Sequence, residues 1–291
     1  MDTWQQIGIS FLGIALELTA LFLAISFVMN LLQGVLPYER MERALGSKHP
    51  LIGGALALAL AFVTPFCSCS TIPMVVGMLN KKLRFGVVMT FLFASPVLDP
   101  TILTLMTAML GWKAAALYTA STAILSLAVG FALEAFGFEK AVKRVIVKGG
   151  AAAPERGWDV RGAWRGTMTL MKTVYPYLLI GAAIGAVIHG AVPSEWVATY
   201  LSGDRWWLVP IAAVVGIPLY IRLSSMIPIS QMLIAKGMAL APVMALMIGS
   251  AGASLPELAM LNAIFHRRLV VAFVLSVVTM ATLSGLLFYM I

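Results

Sequence analysis

The two cysteines of the chain, Cys67 and Cys69, lie together at a short polar interruption of an apolar segment. Thiolates are soft ligands, which prefer thiophilic metals and metalloids to hard cations. Cysteines two positions apart are poorly placed for a mutual disulfide, so we expect free thiols. Pro65 and Pro73 bracket the pair, and the backbone between them cannot be a continuous helix. The pattern predicts a soft-ligand site at a backbone break, with inert buried thiols as the alternative interpretation.

Serine hydroxyls and one arginine are candidates to complete this site. Ser68 and Ser70 alternate with the cysteines, while Ser224 and Ser225 lie in a second interrupted segment, two and three residues beyond Arg222. A guanidinium at membrane depth costs at least ~2.5 kcal/mol unless it is paired or hydrated. Arg222 is therefore expected to face a cavity or an acid.

The acids within apolar runs are Glu17, Asp99 and Glu257. Asp99 precedes Pro100, which predicts a helix N-cap followed by proline at the first helical position. A carboxylate in a low dielectric can also load and release a proton, and the two roles are compatible. Asp99 is the expected partner of Arg222. For Glu17 and Glu257, a structural role is the alternative to proton coupling.

The composition indicates a polytopic membrane protein, because 61% of the residues are hydrophobic and 11% are charged. Apolar runs at 7–36, 112–136, 166–192 and 269–290 each provide the ~20 residues that a bilayer requires. The first run is too long for a cleaved signal sequence, so we expect it to stay in the membrane. The chain has no phosphate loop, catalytic triad pattern or basic patch with interleaved aromatics, which argues against an ATP-driven pump, an enzyme and a nucleic-acid binder.

Shorter apolar runs predict discontinuous helices around the cysteines. Residues 51–66 and 71–80 are too short to span singly, so they predict a hairpin of two half-helices that enters and leaves on one side. Residues 85–95 and 100–110 predict a broken span. The second half repeats these runs at 207–219, 229–235, 239–250 and 255–265.

An offset of 155 residues brings the two halves into register, matching Pro73 with Pro228 and Ser95 with Ser250. Asp99 then falls on Ser254, which is expected to cap the equivalent half-helix. Cys67 falls on Arg222 and Cys69 on Ser224, so the two hairpin tips carry different chemistry at equivalent places.

The distribution of Lys and Arg predicts the topology. If residues 137–165 are cytoplasmic, then 38–49, 80–84 and 266–268 are also inside, and these segments hold fifteen of the twenty basic residues. Both termini are then outside. The predicted fold is an all-α polytopic membrane protein with two inverted-topology repeats, re-entrant half-helix hairpins and broken transmembrane helices. Its predicted parts are a first repeat (1–136), a basic cytoplasmic linker (137–165) and a second repeat (166–291).

Three motifs resemble the ArsP/YraQ-type predicted permeases: Pro-Phe-Cys-Ser-Cys-Ser-Thr-Ile-Pro at 65–73, Ala-Ser-Pro-Val-Leu-Asp-Pro at 94–100 and Gly-Ile-Pro-Leu-Tyr-Ile at 216–221. The resemblance covers nearly the whole chain. It implies export of trivalent organoarsenicals or divalent heavy metals, with Cys67 and Cys69 as thiolate ligands of the transported species. The chain departs from the family at the second tip, which usually reads Pro-Leu-Tyr-Val-Cys, because Arg222 stands where a third cysteine is expected.

The sequence thus predicts a secondary transporter of the bacterial-type inner membrane, rather than an enzyme, that exports a thiophilic metalloid or heavy-metal species by proton-coupled alternating access. Its partners are the lipid bilayer, a small inorganic or organometal(loid) substrate and a coupling proton, with no cofactor and no nucleic acid. A transporter of a small or sulfur-containing anion held by Arg222 is the alternative. A membrane thiol redox enzyme is a third hypothesis, which the absence of a Cys-x-x-Cys spacing disfavours.

Overall fold

The computed structural model describes residues 49–63, 68–80, 82–143, 205–219 and 237–290, with isolated residues between 16 and 27, 160 and 175, and 230 and 234. This part of the chain is helical. It contains no strand, and its β-type pairing is limited to isolated bridges, such as that between Val142 and Phe265. The all-α class predicted from the sequence is confirmed.

The helices of the first half are α1 (Pro50–Val63), α2 (Ser68–Asn80), α3 (Phe85–Ala94), α4 (Pro100–Leu110) and α5 (Trp112–Ala135). A 3-10 turn at Phe138–Ala141 follows them. The helices of the second half are α6 (Leu208–Leu219), α7 (Leu240–Gly252), α8 (Leu255–Ile264) and α9 (Arg267–Leu287), with a 3-10 turn at Phe288–Met290. Of the predicted runs 7–36, 166–192 and 229–235, only isolated residues are described.

Equivalent helices of the two halves begin 155 residues apart: α3 and α7 at 85 and 240, α4 and α8 at 100 and 255, and α5 and α9 at 112 and 267. Helix packing follows the same offset. A Cβ added to Gly130 of α5 would lie 2.8 Å from the backbone oxygen of Gly86, and one added to Gly285 of α9 would lie 3.0 Å from that of Ala241. In both helix pairs, α3/α5 and α7/α9, a glycine at the equivalent position allows the close approach.

Helices α5 and α9 pack against each other in antiparallel directions. The Ser121 and Ser284 hydroxyl oxygens are 2.7 Å apart, and the Ser126 hydroxyl donates to Met280 Sδ at 3.6 Å. The residue numbers therefore rise along α5 where they fall along α9, as expected of antiparallel helices. Met280 is the 155-residue equivalent of Leu125, so the two helices cross near equivalent positions.

The path from α3 to α4 runs the length of α5 in the reverse direction. Glu134, near the end of α5, accepts hydrogen bonds from Arg84 Nε and from Gly86 N–H, both at 2.6 Å, at the start of α3. Helix α4 ends at Leu110, next to the tight turn at Gly111 (φ +91°) from which α5 begins. The chain crosses from one end of α5 to the other with an interruption between α3 and α4.

Helices α1 and α3 both begin at the end of the molecule where α5 ends. The Phe131 ring of α5 lies against Gly54 of α1 and Gly86 of α3, both near their helix starts. Because α2 connects the end of α1 to the start of α3, it runs back toward this same end. The pairing of α1 and α2 as a re-entrant hairpin stays a prediction.

The second half has the reverse orientation along the α5/α9 pair. Helix α7 begins beside Gly285, near the end of α9. Helix α8 ends at the opposite end, where Lys143 N–H donates to Ile264 O at 3.0 Å and His266 N–H donates to Ala141 O at 2.9 Å. The start of the linker thus pairs with the turn between α8 and α9. The predicted division of the chain at 136 and 165 stays a prediction.

Two helical segments of the described part are long and apolar enough to cross a membrane: Trp112–Ala135 and Arg267–Met290. Their outward faces carry large apolar side chains, including Ile124, Val271 and Leu275. Buried side chains elsewhere form two apolar clusters, one around α6, α7 and α9 and the other around α2, α3 and α8.

Candidate functional site

The first break separates α3 from α4 at residues 95–99. Val97 and Leu98 N–H both donate to Ala94 O, at 3.1 and 2.8 Å, which closes a turn at the end of α3. Pro100 has no N–H and disfavours a helical conformation at Asp99, so the helix cannot continue through this point. It resumes at once, with Leu103 N–H donating to Asp99 O at 3.1 Å.

Two buried hydrogen bonds tie the first break to other helices. The Thr71 and Ser95 hydroxyl oxygens are 3.1 Å apart, and Tyr118 Oη of α5 donates to Val97 O at 3.0 Å. Thr71 is the fourth residue of α2, directly after Ser68, Cys69 and Ser70. The start of α2 therefore lies beside the break that carries Asp99.

The second break, at Ala253 and Ser254, separates α7 from α8. Ser254 is the N-cap of α8: its hydroxyl accepts from Glu257 N–H, and its own N–H donates to Glu257 Oε2, both at 3.4 Å. This reciprocal capping box confirms the predicted cap at Ser254. Glu257 is fully buried, and α8 packs against α2.

The two breaks meet each other. A Cβ added to Gly252 would lie 3.9 Å from Val97 Cγ2, and Val97 and Gly252 are equivalent under the 155-residue offset. Contact between equivalent positions is what a local two-fold relation between the halves produces. The starts of α2, α4 and α8 thus converge around one point.

The structure describes some of the predicted site residues and not others. Asp99 lies half-buried at the first break, and Glu257 lies in the first turn of α8. Ser68, Cys69 and Ser70 form the start of α2, of which only the backbone is described. The remaining candidates fall outside the described residues: Glu17, Cys67, Arg222, Ser224 and Ser225. The pairing of Arg222 with Asp99 stays a prediction.

Three buried side chains at this point were not singled out from the sequence: Thr71, Ser95 and Tyr118. Thr71 directly follows the Cys-Ser-Cys-Ser segment, and Ser95 is the first residue of the predicted break. Their positions in the sequence were therefore sufficient to suggest both as site residues. Tyr118 gave no signal, because one aromatic residue within a long apolar run is ordinary. Its aligned residue, Phe273, has no hydroxyl.

Converging helix starts direct backbone N–H groups and the positive ends of helix dipoles toward one region, which favours negative charge there. Thiolates, carboxylates and anionic substrates all satisfy that preference. Within the described ranges, no group of three or more His, Cys, Asp or Glu side chains could hold a metal ion.

Comparison with known proteins gives a match over nearly the full length. A family model described as a predicted permease matches residues 3–290. The UPF0718 protein MJ0584 of Methanocaldococcus jannaschii is 22% identical over 302 residues, which cover 82% of this chain and 83% of that protein. The UPF0718 protein YraQ of Escherichia coli is 27% identical over 245 residues, which cover 82% of this chain and 68% of that protein. No solved structure gives a significant match.

Proposed function

Because the chain belongs to the ArsP_1 family of predicted permeases, we propose that it is a multi-pass secondary transporter of the bacterial-type inner membrane. The two long apolar helices α5 and α9, with apolar side chains on their outward faces, support a membrane location. The absence from the sequence of a phosphate loop or nucleotide motif is in keeping with secondary rather than ATP-driven transport.

The proposed transporter consists of two inverted-topology repeats that exchange access between the two sides of the membrane. Supporting observations are the helix starts 155 residues apart, the antiparallel α5/α9 pair, and the opposite ends at which α3 and α7 begin. In such folds, discontinuous helices meet near the bilayer midplane and form the substrate site. The α1/α2 hairpin then enters from the cytoplasm as a re-entrant element.

The substrate is a thiophilic metalloid or heavy-metal species that Cys67 and Cys69 bind as thiolates. The observation that carries this proposal is the buried contact between Thr71 and Ser95, 3.1 Å apart, because it brings the cysteine-bearing start of α2 to the break that carries Asp99. Ser68 and Ser70 add weaker oxygen ligands. On the second hairpin, Arg222, Ser224 and Ser225 complete or tune the site.

Proton entry drives the export. Asp99 and Glu257 stand at or near the starts of α4 and α8, whose breaks meet, so a proton on either carboxyl would act close to the substrate. Glu17 is a third candidate for this role. Protonation and substrate binding must favour different facing states, because a ligand shifts an equilibrium only through differential affinity.

Uptake into everted membrane vesicles tests the substrate class. A trivalent methylarsenical, Zn²⁺ and Cd²⁺ are offered in parallel under an imposed proton gradient. We expect the parent to accumulate at least one of them and Cys67→Ser/Cys69→Ser to lose at least about tenfold in rate, the effect of losing one good ligand interaction. Ser68→Ala/Ser70→Ala keeps both thiols and removes only the weaker oxygen ligands, so it should lose less of the rate than the cysteine-free variant. Equal accumulation by the parent and the cysteine-free variant would contradict thiol-dependent export.

A small or sulfur-containing anion is the second candidate substrate. The convergence of the α2, α4 and α8 starts favours it, as does arginine at position 222 in place of a thiol. Arg222→Cys separates the two proposals, because it should enhance arsenical uptake if the substrate is thiophilic and abolish uptake if the substrate is an anion. Arg222→Lys keeps the charge and should retain part of the anion uptake only.

A further inference from the structure

Tyr118 binds the backbone of the first break from the neighbouring long helix. Its side chain is fully buried in α5, and its hydroxyl donates to Val97 O at 3.0 Å. Where a helix is interrupted, its carbonyl groups lose their intrahelical donors and must find others. Tyr118 supplies such a donor at Val97, which lies beside Gly252, the last residue of α7 before the second break.

The second half of the chain has no hydroxyl at the equivalent place. The residue equivalent to Tyr118 is Phe273, which cannot donate a hydrogen bond. Its ring stacks instead on Phe93, with centroids 4.8 Å apart and an interplanar angle of 18°. The hydroxyl is present only in the repeat whose break carries a carboxylate, Asp99, where the other break carries Ser254.

We propose that Tyr118 is a positioning residue of the transport site, whose hydroxyl fixes the backbone of residues 95–99 and thereby the placement of both Asp99 and the start of α2. The connection runs from Tyr118 to Val97 O, along the break to Ser95, and from the Ser95 hydroxyl to Thr71. This proposal deepens the proposed function and rests on it, because it assigns the positioning of the cysteine-bearing start of α2 to Tyr118, a fully buried residue of another helix.

The rate at which a maleimide labels the native thiols tests this role without knowledge of the substrate, since Cys67 and Cys69 are the only cysteines. We expect Tyr118→Phe to raise the labelling rate of the full-length protein in membranes about fivefold, the effect of losing one ordinary hydrogen bond on a local opening equilibrium. Thr71→Val breaks the same connection at its other end and should act in the same direction.

Two control variants distinguish positioning from a general loss of stability. Ser284→Ala removes the buried hydrogen bond between α9 and α5 at Ser121, about one turn along α5 from Tyr118, but leaves the bond from the Tyr118 hydroxyl to Val97 O. Tyr289→Phe makes the same chemical change near the end of α9. Neither should change the labelling rate, although Ser284→Ala should lower the thermal stability of the purified protein to a similar extent as Tyr118→Phe.

Labelling that is unchanged in both Tyr118→Phe and Thr71→Val, or that rises equally in Ser284→Ala, would overturn the proposal. Vesicle uptake provides a second readout: Tyr118→Phe should lower the maximal rate with little change in KM. If the parent takes up none of the probes, the proposed substrate class fails, but the labelling experiment still decides the role of Tyr118.

Discussion

Glu134 joins the end of α5 to the start of α3 through two contacts. Its Oε1 accepts from Arg84 Nε and its Oε2 from Gly86 N–H, each at 2.6 Å. Arg84 also lies over the Phe131 ring, with its Cζ 5.6 Å from the centroid. The carboxylate thus caps α3 from another helix, since Arg84, the N-cap residue, makes no side-chain cap of its own.

The two contacts of Glu134 should differ in energy. Glu134→Ala leaves Gly86 N–H without its acceptor, so we expect the free energy of unfolding to fall by about 1–3 kcal/mol. Arg84→Ala should cost less than about 1 kcal/mol, because the guanidinium is 45% exposed and the ion pair is screened by water. Thermal unfolding of detergent-solubilised protein, followed by tryptophan fluorescence, measures both. A larger loss in Arg84→Ala would show that the ion pair, not the cap, holds α3.

Ser254 offers a second test at the scale of single residues. Ser254→Ala removes the acceptor for Glu257 N–H and should lower stability by about 1 kcal/mol. Ser254→Asp retains a capping oxygen and reproduces the residue found at the equivalent position 99, so it should keep most of the stability. Comparable losses in the two variants, measured by the same unfolding assay, would mean that the cap contributes little.

At the scale of elements, glycine sets how closely the helices approach. A Cβ at Gly130 would lie 2.8 Å from both Gly86 O and Thr90 N, which are backbone atoms and cannot move aside. One at Gly285 would lie 3.0 Å from Ala241 O and 2.9 Å from the Ala245 Cβ. These contacts place α3 against α5 and α7 against α9.

Alanine at either crossing should force the helices apart. Gly130→Ala and Gly285→Ala should each destabilise by about 1–3 kcal/mol, the usual cost of overpacking. Gly77→Ala in α2 is the control, because its Cβ would meet nothing within 4 Å and alanine favours the helix by up to about 1 kcal/mol. Melting temperatures of the three variants, compared with that of the parent protein, test this prediction. An unchanged melting temperature in Gly130→Ala would contradict close packing between α3 and α5.

Within the described residues, the sequence predicted most helix boundaries to within a few residues. Proline and the ends of apolar runs place helix starts at 85 and 100 and the interruption between them, and the 155-residue offset carries these to 240 and 255. The same reasoning could not find Tyr118 or Glu134. Hydrophobic periodicity shows which residues are apolar, but which backbone group a buried hydroxyl or carboxylate reaches depends on how helices distant in sequence come together.

The residues of the candidate site were likewise predictable from the sequence only in part. Motif positions indicated Asp99 and the Cys-Ser-Cys-Ser segment, and the structure brings the break and the start of α2 together through Thr71 and Ser95. It assigns Glu257 to a capping box that the sequence suggested only through its neighbour Ser254. The sequence contains no information on the separation between Cys67 and Arg222, because their approach depends on tertiary packing.

At the scale of the whole molecule, basic residues and tryptophans are unequally distributed between the two ends of the α5/α9 pair, with Lys113 and Arg205 at the tryptophan end. The end where α5 finishes carries Arg84, Lys143 and Arg267, each placed there by contacts with α5, α8 or the linker start. Trp112 at the start of α5 and Trp206 and Trp207 before α6 belong to the other end, and all three are exposed. Basic residues inside and aromatic residues at the interfaces are the usual arrangement in membranes.

This arrangement predicts that both termini are outside the cytoplasm. Alkaline phosphatase fused after Ile291 should be active, and a green fluorescent protein at the same place should not fluoresce. The fluorescent protein inserted after Gly150, within the linker, should give the reverse result. Full fluorescence of the C-terminal fusion would invert the proposed topology and would place the α1/α2 hairpin on the outer side.

The contact between Val97 and Gly252 also bears on ancestry. If the two halves descend from one gene, its product paired with an oppositely inserted copy of itself, and position 97 touched its own counterpart. Every mutation there then changed both sides of the contact at once. Fusion into one chain removed that restriction, so valine could face glycine, tyrosine at 118 could diverge from phenylalanine at 273, and cysteine at 67 from arginine at 222. Under this descent, fusion let one half specialise in binding the ligand and the other in tuning that site.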